Sequence, residues 1–221
     1  MTTRVTGLSQ PALQARLDAR PARRAAPALI GPNAVIQTLE ALRALEGPGL
    51  ADRLAEIADL PEREPATMVP EAWFVRLVAA LRRELPAARA ERVLAHSGAA
   101  TARYVASNRI PSFLRALLRV LPARLAIPLL LAAFRRHAWT FAGQSRFEVH
   151  GRYPGSIVLD DAPTCRHGKH PDRSGSYYEA AFEGLLSLAS PRVRVTEVDC
   201  RASGAPACRF LISLDNDQFR G

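Results

Sequence analysis

The sequence predicts an α+β fold: a helical half followed by a four-stranded antiparallel sheet that carries one inserted helix. Two observations predict it. Up to His137 apolar residues recur at helical spacing in segments cut by proline, and from Trp139 onward they alternate along extended runs. Between the strand-like runs, Tyr178 to Leu188 returns to helical spacing. Helices first and strands after is an α+β order, unlike the regular alternation of a parallel α/β sheet.

Each element has its own signal. Residues 1–30 hold Arg4, Arg16, Arg20, Arg23 and Arg24 among Pro11, Pro21 and Pro27, without a sustained apolar period, and read as a flexible basic tail. Asn33 is a candidate N-cap for a helix with Val35, Ile36, Leu39 and Leu42 on one side, stopped by Gly47-Pro48-Gly49. A second helix fits Leu50 to Leu60. Pro70 opens a third, burying Trp73, Phe74, Leu77, Val78 and Leu81 and exposing Arg76, Arg82, Arg83 and Glu84, until Pro86 ends it. A fourth spans Ala88 to Ser107, and a fifth begins at Ile110-Pro111 and reaches Leu121. Pro122 and Pro128 punctuate the most apolar stretch, Leu125 to Phe134, which is too short to span a bilayer. The alternating part gives Phe141, Phe147 and Val149, then Ile157-Val158-Leu159 beyond Tyr153-Pro154-Gly155. A second hairpin joins Val193–Val198 to Cys208–Leu214, and residues 216–221 read as a tail. The organisation expected is a tail (1–30), a helical half (31–137) and an α+β half (138–215), the last two forming one globular unit.

The formal net charge of +9 is almost all arginine, Lys169 being the one lysine. Such charge suits nucleic acid, an anionic membrane surface or an acidic small molecule. No helix-turn-helix, ATPase segment or phosphate loop is recognisable, so nucleic acid is not expected as a partner. With few cysteines, no apolar run of about 18 residues and no signal-peptide core, the chain is expected in the cytoplasm, with a peripheral membrane contact as a further expectation.

The three cysteines fall in one stretch. Cys200 and Cys208 flank the turn-rich spacer Arg-Ala-Ser-Gly-Ala-Pro-Ala, so the thiols sit at facing ends of a hairpin. Glu197 precedes Cys200 by three residues, and Cys165 completes a set of four. Thiolate and carboxylate ligands in a set of four suit tetrahedral zinc, and four protein ligands make the site structural. On spacing alone, small buried hydrophobes or a Cys200–Cys208 disulfide account for the same cysteines.

Cys165, the aromatic and glycine helix from Tyr178 to Gly184, and Glu197-x-x-Cys200-x7-Cys208-x-Phe210 together resemble the signature of the 4-vinyl reductase (V4R) domain family. That family includes the sensor domains of phenol-responsive bacterial activators and is similar in fold to TRAPP vesicle-tethering subunits. The resemblance implies a closed zinc site of Cys165, Glu197, Cys200 and Cys208. His167 and His170, beside Lys169, are alternative ligands in the loop after Cys165. The whole chain, with its Arg-rich start, is most similar to the members at work in bacteriochlorophyll biosynthesis, which were named as reductases of a tetrapyrrole vinyl group. By implication a chlorophyll-precursor tetrapyrrole is the ligand, bound as a magnesium complex, and a pathway enzyme such as magnesium chelatase or a later reductase is a partner. A homodimer is compatible with this reading.

The residues point to a place for such a ligand. Between Glu91 and Glu148 there is no acidic residue, while nine arginines fall inside, from Arg92 to Arg146. Interleaved with Leu, Ile, Phe and Trp139, they offer apolar surface beside guanidinium groups, as a macrocycle bearing propionates requires. A membrane-surface helix or a solvated face would use the same residues. His96, among Ser97, Gly98, Ala99 and Ala100, is the expected axial ligand to the central metal, and His137 after Arg135-Arg136 is a helix C-terminal dipole partner. In the family's sensors the ligand chamber lies between helices and sheet, which by resemblance puts His96, Tyr104, Trp139 and Phe141 near one another, and the chemistry of a propionate then assigns Arg103 or Arg109 to hold it. Catalysis has weaker support: no dinucleotide or hydride-donor motif is recognisable, and Asp160-Asp161 read as turn formers. The expected function is binding and delivery of a tetrapyrrole, and the alternative is the vinyl reductase of the family's name.

Overall fold

The computed structural model describes residues 28–151, 155–166 and 175–215. Its helical half comprises α1 (Asn33–Glu46), α2 (Pro48–Ile57), α3 (Glu71–Glu84), α4 (Ala87–Asn108), α5 (Ser112–Val120) and α6 (Ala123–His137). A short pair, β1 (Leu29–Ile30) and β2 (Val69–Pro70), runs antiparallel beside them. The sheet then forms from β3 (Phe147–His150), β4 (Ser156–Leu159), β5 (Val193–Asp199) and β6 (Cys208–Leu214), with α7 (Ser176–Leu186) inserted between β4 and β5. Strand order is β3-β4-β6-β5, antiparallel throughout. This is the α+β architecture expected from the two periodicities.

Several boundaries differ, each for a physical reason. The tail expectation ends too late: Leu29 and Ile30 pair with Pro70 and Val69, and Ile30 is buried. Residues 1–27 and 216–221 lie outside the described residues. Asn33 is the first helical residue and caps nothing; Pro32 precedes it without a side-chain cap. Pro48 stands inside the first turn of α2, where its missing N–H costs no bond. Pro128 lies inside α6 without ending it, and both Pro128 and Arg124, whose carbonyl loses its helical donor, are on the exposed side of the helix. Residues 138–140 form a 3-10 turn, so Phe141 follows a turn and is not in a strand.

The two halves share a hydrophobic core running from Leu39 and Leu42 of α1 through Leu94 of α4 to Phe210 and Ile212 of β6. Its centre is the crossing of α4 over α7, made close by glycine. A Cβ on Gly98 would stand 2.1 Å from the Tyr177 carbonyl oxygen, and one on Gly184 would stand 2.7 Å from Ala102 Cβ. The small residues around His96 therefore serve helix packing. Beside them the hydroxyls of Thr38 and Ser97, both fully buried, bond at 2.7 Å and tie α1 to α4. No helix among the described residues is long and apolar enough to cross a membrane.

Candidate metal centre and apolar chamber

Three elements bring four donors to one point. Leu159 pairs with Cys208, so the chain leaving β4 passes the start of β6 before a 3-10 turn, Pro163–Cys165, places Cys165 there. Cys200 ends β5 and Cys208 begins β6 across a tight turn through Gly204, whose φ of 98° suits glycine. Glu197 lies on the inward face of β5 with Val193 and Val195, and a register shift between Glu197 and Asp199 turns the strand end toward the cysteines. The donor atoms of Cys165, Glu197, Cys200 and Cys208 all lie within 4.8 Å of one another, and all four residues are buried.

The thiols are not paired as a disulfide. Cys200 and Cys208 Sγ are 4.0 Å apart, about twice the S–S bond length. The other sulfur separations are 3.2 Å (Cys165–Cys208) and 3.6 Å (Cys165–Cys200). Sulfurs at tetrahedral corners around an ion with ~2.3 Å bonds stand roughly 3.8 Å apart, so the three thiols already have close to the required spacing. Glu197 Oε2 accepts the Gly175 N–H at 2.9 Å, while Oε1 is buried without a hydrogen-bond partner. The Arg201 N–H points at Cys208 Sγ at 3.5 Å, a donor that suits a thiolate. A Cβ on Gly175 would fall 2.4 Å from Glu197 Oε1, so glycine is what lets the backbone approach the carboxylate.

The electrostatics fit a cation. Burial first, then the nearby Cys200, pushes the Glu197 carboxyl up to about 8. Contact with the Cys165 and Cys200 sulfurs, added to burial, pushes the Cys208 thiol up as well. A divalent ion would stabilise the charged forms of Glu197 and Cys208 that burial and crowding disfavour here. The donor set, the sulfur spacing and the orphaned carboxylate oxygen fit one thiophilic metal ion with no open coordination position.

A second feature lies between the helical half and α7. An apolar cavity of about 670 Å³, within the range of small-molecule sites, is lined by residues of α4, α5, α6 and α7, the turn after α6, the start of α1 and the segment 66–68 before β2. Tyr177, Tyr178 and Phe182 of α7 form one wall, with Phe134 and Phe141 among the facing residues. The rings interlock: Phe134 with Phe182 at 5.9 Å, Phe141 with Phe182 at 5.9 Å, and Tyr178 with Phe182 at 5.8 Å between centroids. Tyr178 donates to the Phe141 carbonyl at 2.9 Å and Tyr177 to Thr101 Oγ1 at 3.3 Å. Burial pushes the Tyr177 hydroxyl up to about 12 and Tyr178 higher than its ordinary value, so both stay protonated.

Of the residues expected around a ligand, Arg109, Trp139 and Phe141 line this chamber. His96, Arg103 and Tyr104 do not. His96 and Arg103 are both exposed, and being two helical turns apart they share one stripe of α4. Thr101, Val105 and Arg109, on another stripe, face the cavity. His96 lies outside the lining because the face of α4 that packs on α7 is the one that carries Gly98. His137 stands in the last turn of α6, the place expected of a dipole partner, and also lines the chamber. Thr101, Phe134 and Tyr177 carry no ligand signal in the sequence, and Tyr178 and Phe182 are marked there only as part of the aromatic helix from Tyr178 to Gly184. His167 and His170 lie outside the described residues.

A model of the V4R domain matches residues 156–214, from β4 to the end of β6, and contains all four metal-type donors. Fold and site together define a V4R-domain protein in which a helical half meets a cysteine-bearing sheet. Relatives narrow this further. The "Bacteriochlorophyll synthase 23 kDa chain" of Cereibacter sphaeroides is 41% identical over 184 residues, covering 82% of this chain and 88% of the relative. That of Rhodobacter capsulatus is 38% identical over 186 residues, covering 83% and 86%. The chain belongs to the family of these 23 kDa chains. In solved structures the fold is similar to a mutant H-NOX protein of K. algicida in the Fe(II) unliganded state, with TM-score 0.54, 10% identity, and 84% and 97% of the two chains covered. A structure from work on heme distortion in the H-NOX family gives TM-score 0.52 at 12% identity, covering 85% and 96%.

Proposed function

We propose that this chain binds a magnesium tetrapyrrole of bacteriochlorophyll biosynthesis in the chamber between its helices and α7, and delivers it to a pathway enzyme. The role in bacteriochlorophyll biosynthesis follows from its family. The observation that carries the binding reading is the chamber itself: aromatic walls for a flat macrocycle, with Arg109 and His137 as polar groups in the lining. Arg109 would hold a propionate by charge-assisted hydrogen bonds, and His137 is the chamber's imidazole for the central magnesium. A fold shared with H-NOX proteins, one of them studied for its distorted heme, supports a tetrapyrrole of this size. Zinc, held by Cys165, Glu197, Cys200 and Cys208, would staple the sheet and leave no ligand position for chemistry.

Titration with magnesium protoporphyrin tests the reading. Arg109→Ala should weaken binding about ten-fold, the loss of one charge-assisted contact. His137→Ala should shift the bound pigment's absorption bands with the protein still folded. Equal affinity and spectrum for the wild type and both variants would move the ligand out of the chamber. The vinyl reductase is the competing reading, and it requires that divinyl chlorophyllide with NADPH be converted and not merely bound. The chamber tyrosines are weak support for it, because each hydroxyl already donates to a protein acceptor.

A further inference from the structure

The outward faces of α5 and α6 hold more apolar surface than a solvated wall needs. On α5, Phe113, Leu117 and Val120 recur at i, i+4 and i+7, and Phe113 and Val120 are 72% and 78% exposed. On α6, Leu125 and Leu129 continue this as a second exposed apolar stripe. The opposite faces of the same helices are already used, since Leu114, Leu118, Leu130 and Phe134 line the chamber. Exposed apolar side chains in such a run mark an interaction surface.

Charge selects the partner. Arg119, Arg124, Arg135 and Arg136 are exposed on these two helices, within an interval that has no acidic residue from Arg92 to Phe147. Among the described residues none of these four forms an ion pair with a carboxylate. A second copy of this face would meet its own arginines. Residues 1–27 carry Arg4, Arg16, Arg20, Arg23 and Arg24 against Asp18 alone, so their charge opposes the same face. Apolar ridges edged by arginine complement an anionic bilayer surface, where rings and aliphatic chains enter the headgroup boundary and guanidinium groups meet lipid phosphates.

We infer that the outer face of α5 and α6 docks onto an anionic lipid surface. Trp139, in the turn directly after α6, is 61% exposed and also lines the chamber. Docking thus places the chamber beside the bilayer, where an apolar cargo would be received or released.

Flotation of the full-length protein with vesicles tests this without any pigment. Binding is expected to vesicles of equal parts phosphatidylcholine and phosphatidylglycerol, to fall with added salt, and to be weak on phosphatidylcholine alone. The double variant F113E/V120E should lower partitioning about ten-fold or more, with an unchanged circular dichroism spectrum because both side chains point outward. R119Q and R124Q should each lower it about five-fold. The proposal is overturned if the wild type does not float with anionic vesicles, or if F113E/V120E floats as well as the wild type. It is equally overturned if Gln at positions 16, 20, 23 and 24 abolishes binding while F113E/V120E keeps it, which would make the N-terminal segment the anchor. A wild-type dimer that F113E/V120E turns into a monomer would assign the face to a second copy.

Discussion

The cysteine cluster and the chamber both adjoin the start of α7 and are built on opposite principles. At the cluster, four acids are packed with donor atoms within 4.8 Å and every residue is buried, so the site is polar, small and closed. At the chamber, about 670 Å³ is bounded by aromatic rings whose polar atoms mostly bond to protein. The contrast teaches which site can exchange its contents. A closed tetrahedral set gives up its ion only by opening the fold, whereas an apolar cavity with an exposed tryptophan at its rim can fill and empty while the core stays shut.

The comparison can be broken most forcefully at the cluster. Cys208→Ser should remove the metal and most of the folded protein together, because metal binding in such sites supplies folding free energy, roughly 10 kcal/mol in small zinc domains. Metal analysis should find about one zinc per wild-type chain and almost none in the variant. A well-folded, metal-free Cys208→Ser protein would show that the staple is dispensable.

A pH series on the fraction of chelator-treated wild-type protein that stays folded sharpens the same point. The Glu197 carboxyl rises from 4.5 to about 8 in the folded, metal-free chain. A carboxyl raised on folding favours the folded state while protonated, so its contribution is complete below 4.5 and is lost as pH climbs through about 8. Metal-free protein should therefore melt at a higher temperature at pH 5.5 than at pH 8.5, and metal-loaded protein should reverse the order because acid competes with the ion. Identical trends with and without metal would contradict the role given to Glu197.

The smallest effect is expected at His96. Exposed on the outer stripe of α4, it should change stability by less than about 0.5 kcal/mol on substitution by Ala and leave pigment titration unaltered. A shifted pigment spectrum in His96→Ala would restore it to the ligand and displace His137.

Much of this architecture could be read from residue order. Proline and glycine cut the helical half at nearly the observed places, and the change of period near residue 139 located the sheet. The cluster was legible because Glu197, Cys200 and Cys208 are close in sequence across one hairpin, and the family resemblance supplied Cys165. The chamber was harder. Its lining comes from five helices and the segments between them, and which stripe of α4 faces inward depends on Gly98 meeting Tyr177, a contact between residues far apart in the chain. Amphipathic spacing cannot decide that for a helix with small residues around much of its circumference. Leu29 and Ile30 were missed because a two-residue strand has no period, and only its pairing with β2 reveals it.

The hydrogen bond from Gly175 to Glu197 joins the two sites mechanically. Gly175 immediately precedes α7, and the residues that follow it, Tyr177 and Tyr178, are chamber wall. The carboxylate that would ligate the ion thus also anchors the first turn of the helix against which a cargo would rest. Through this bond a displacement of the start of α7 by an occupant would bear on Glu197, and a change at Glu197 would bear on the wall. Such a linkage is reciprocal: an occupant that favours the anchored position of α7 tightens the grip on the ion by the same factor by which the ion tightens the grip on the occupant. The staple and the container are then one thermodynamic system joined through a single backbone amide.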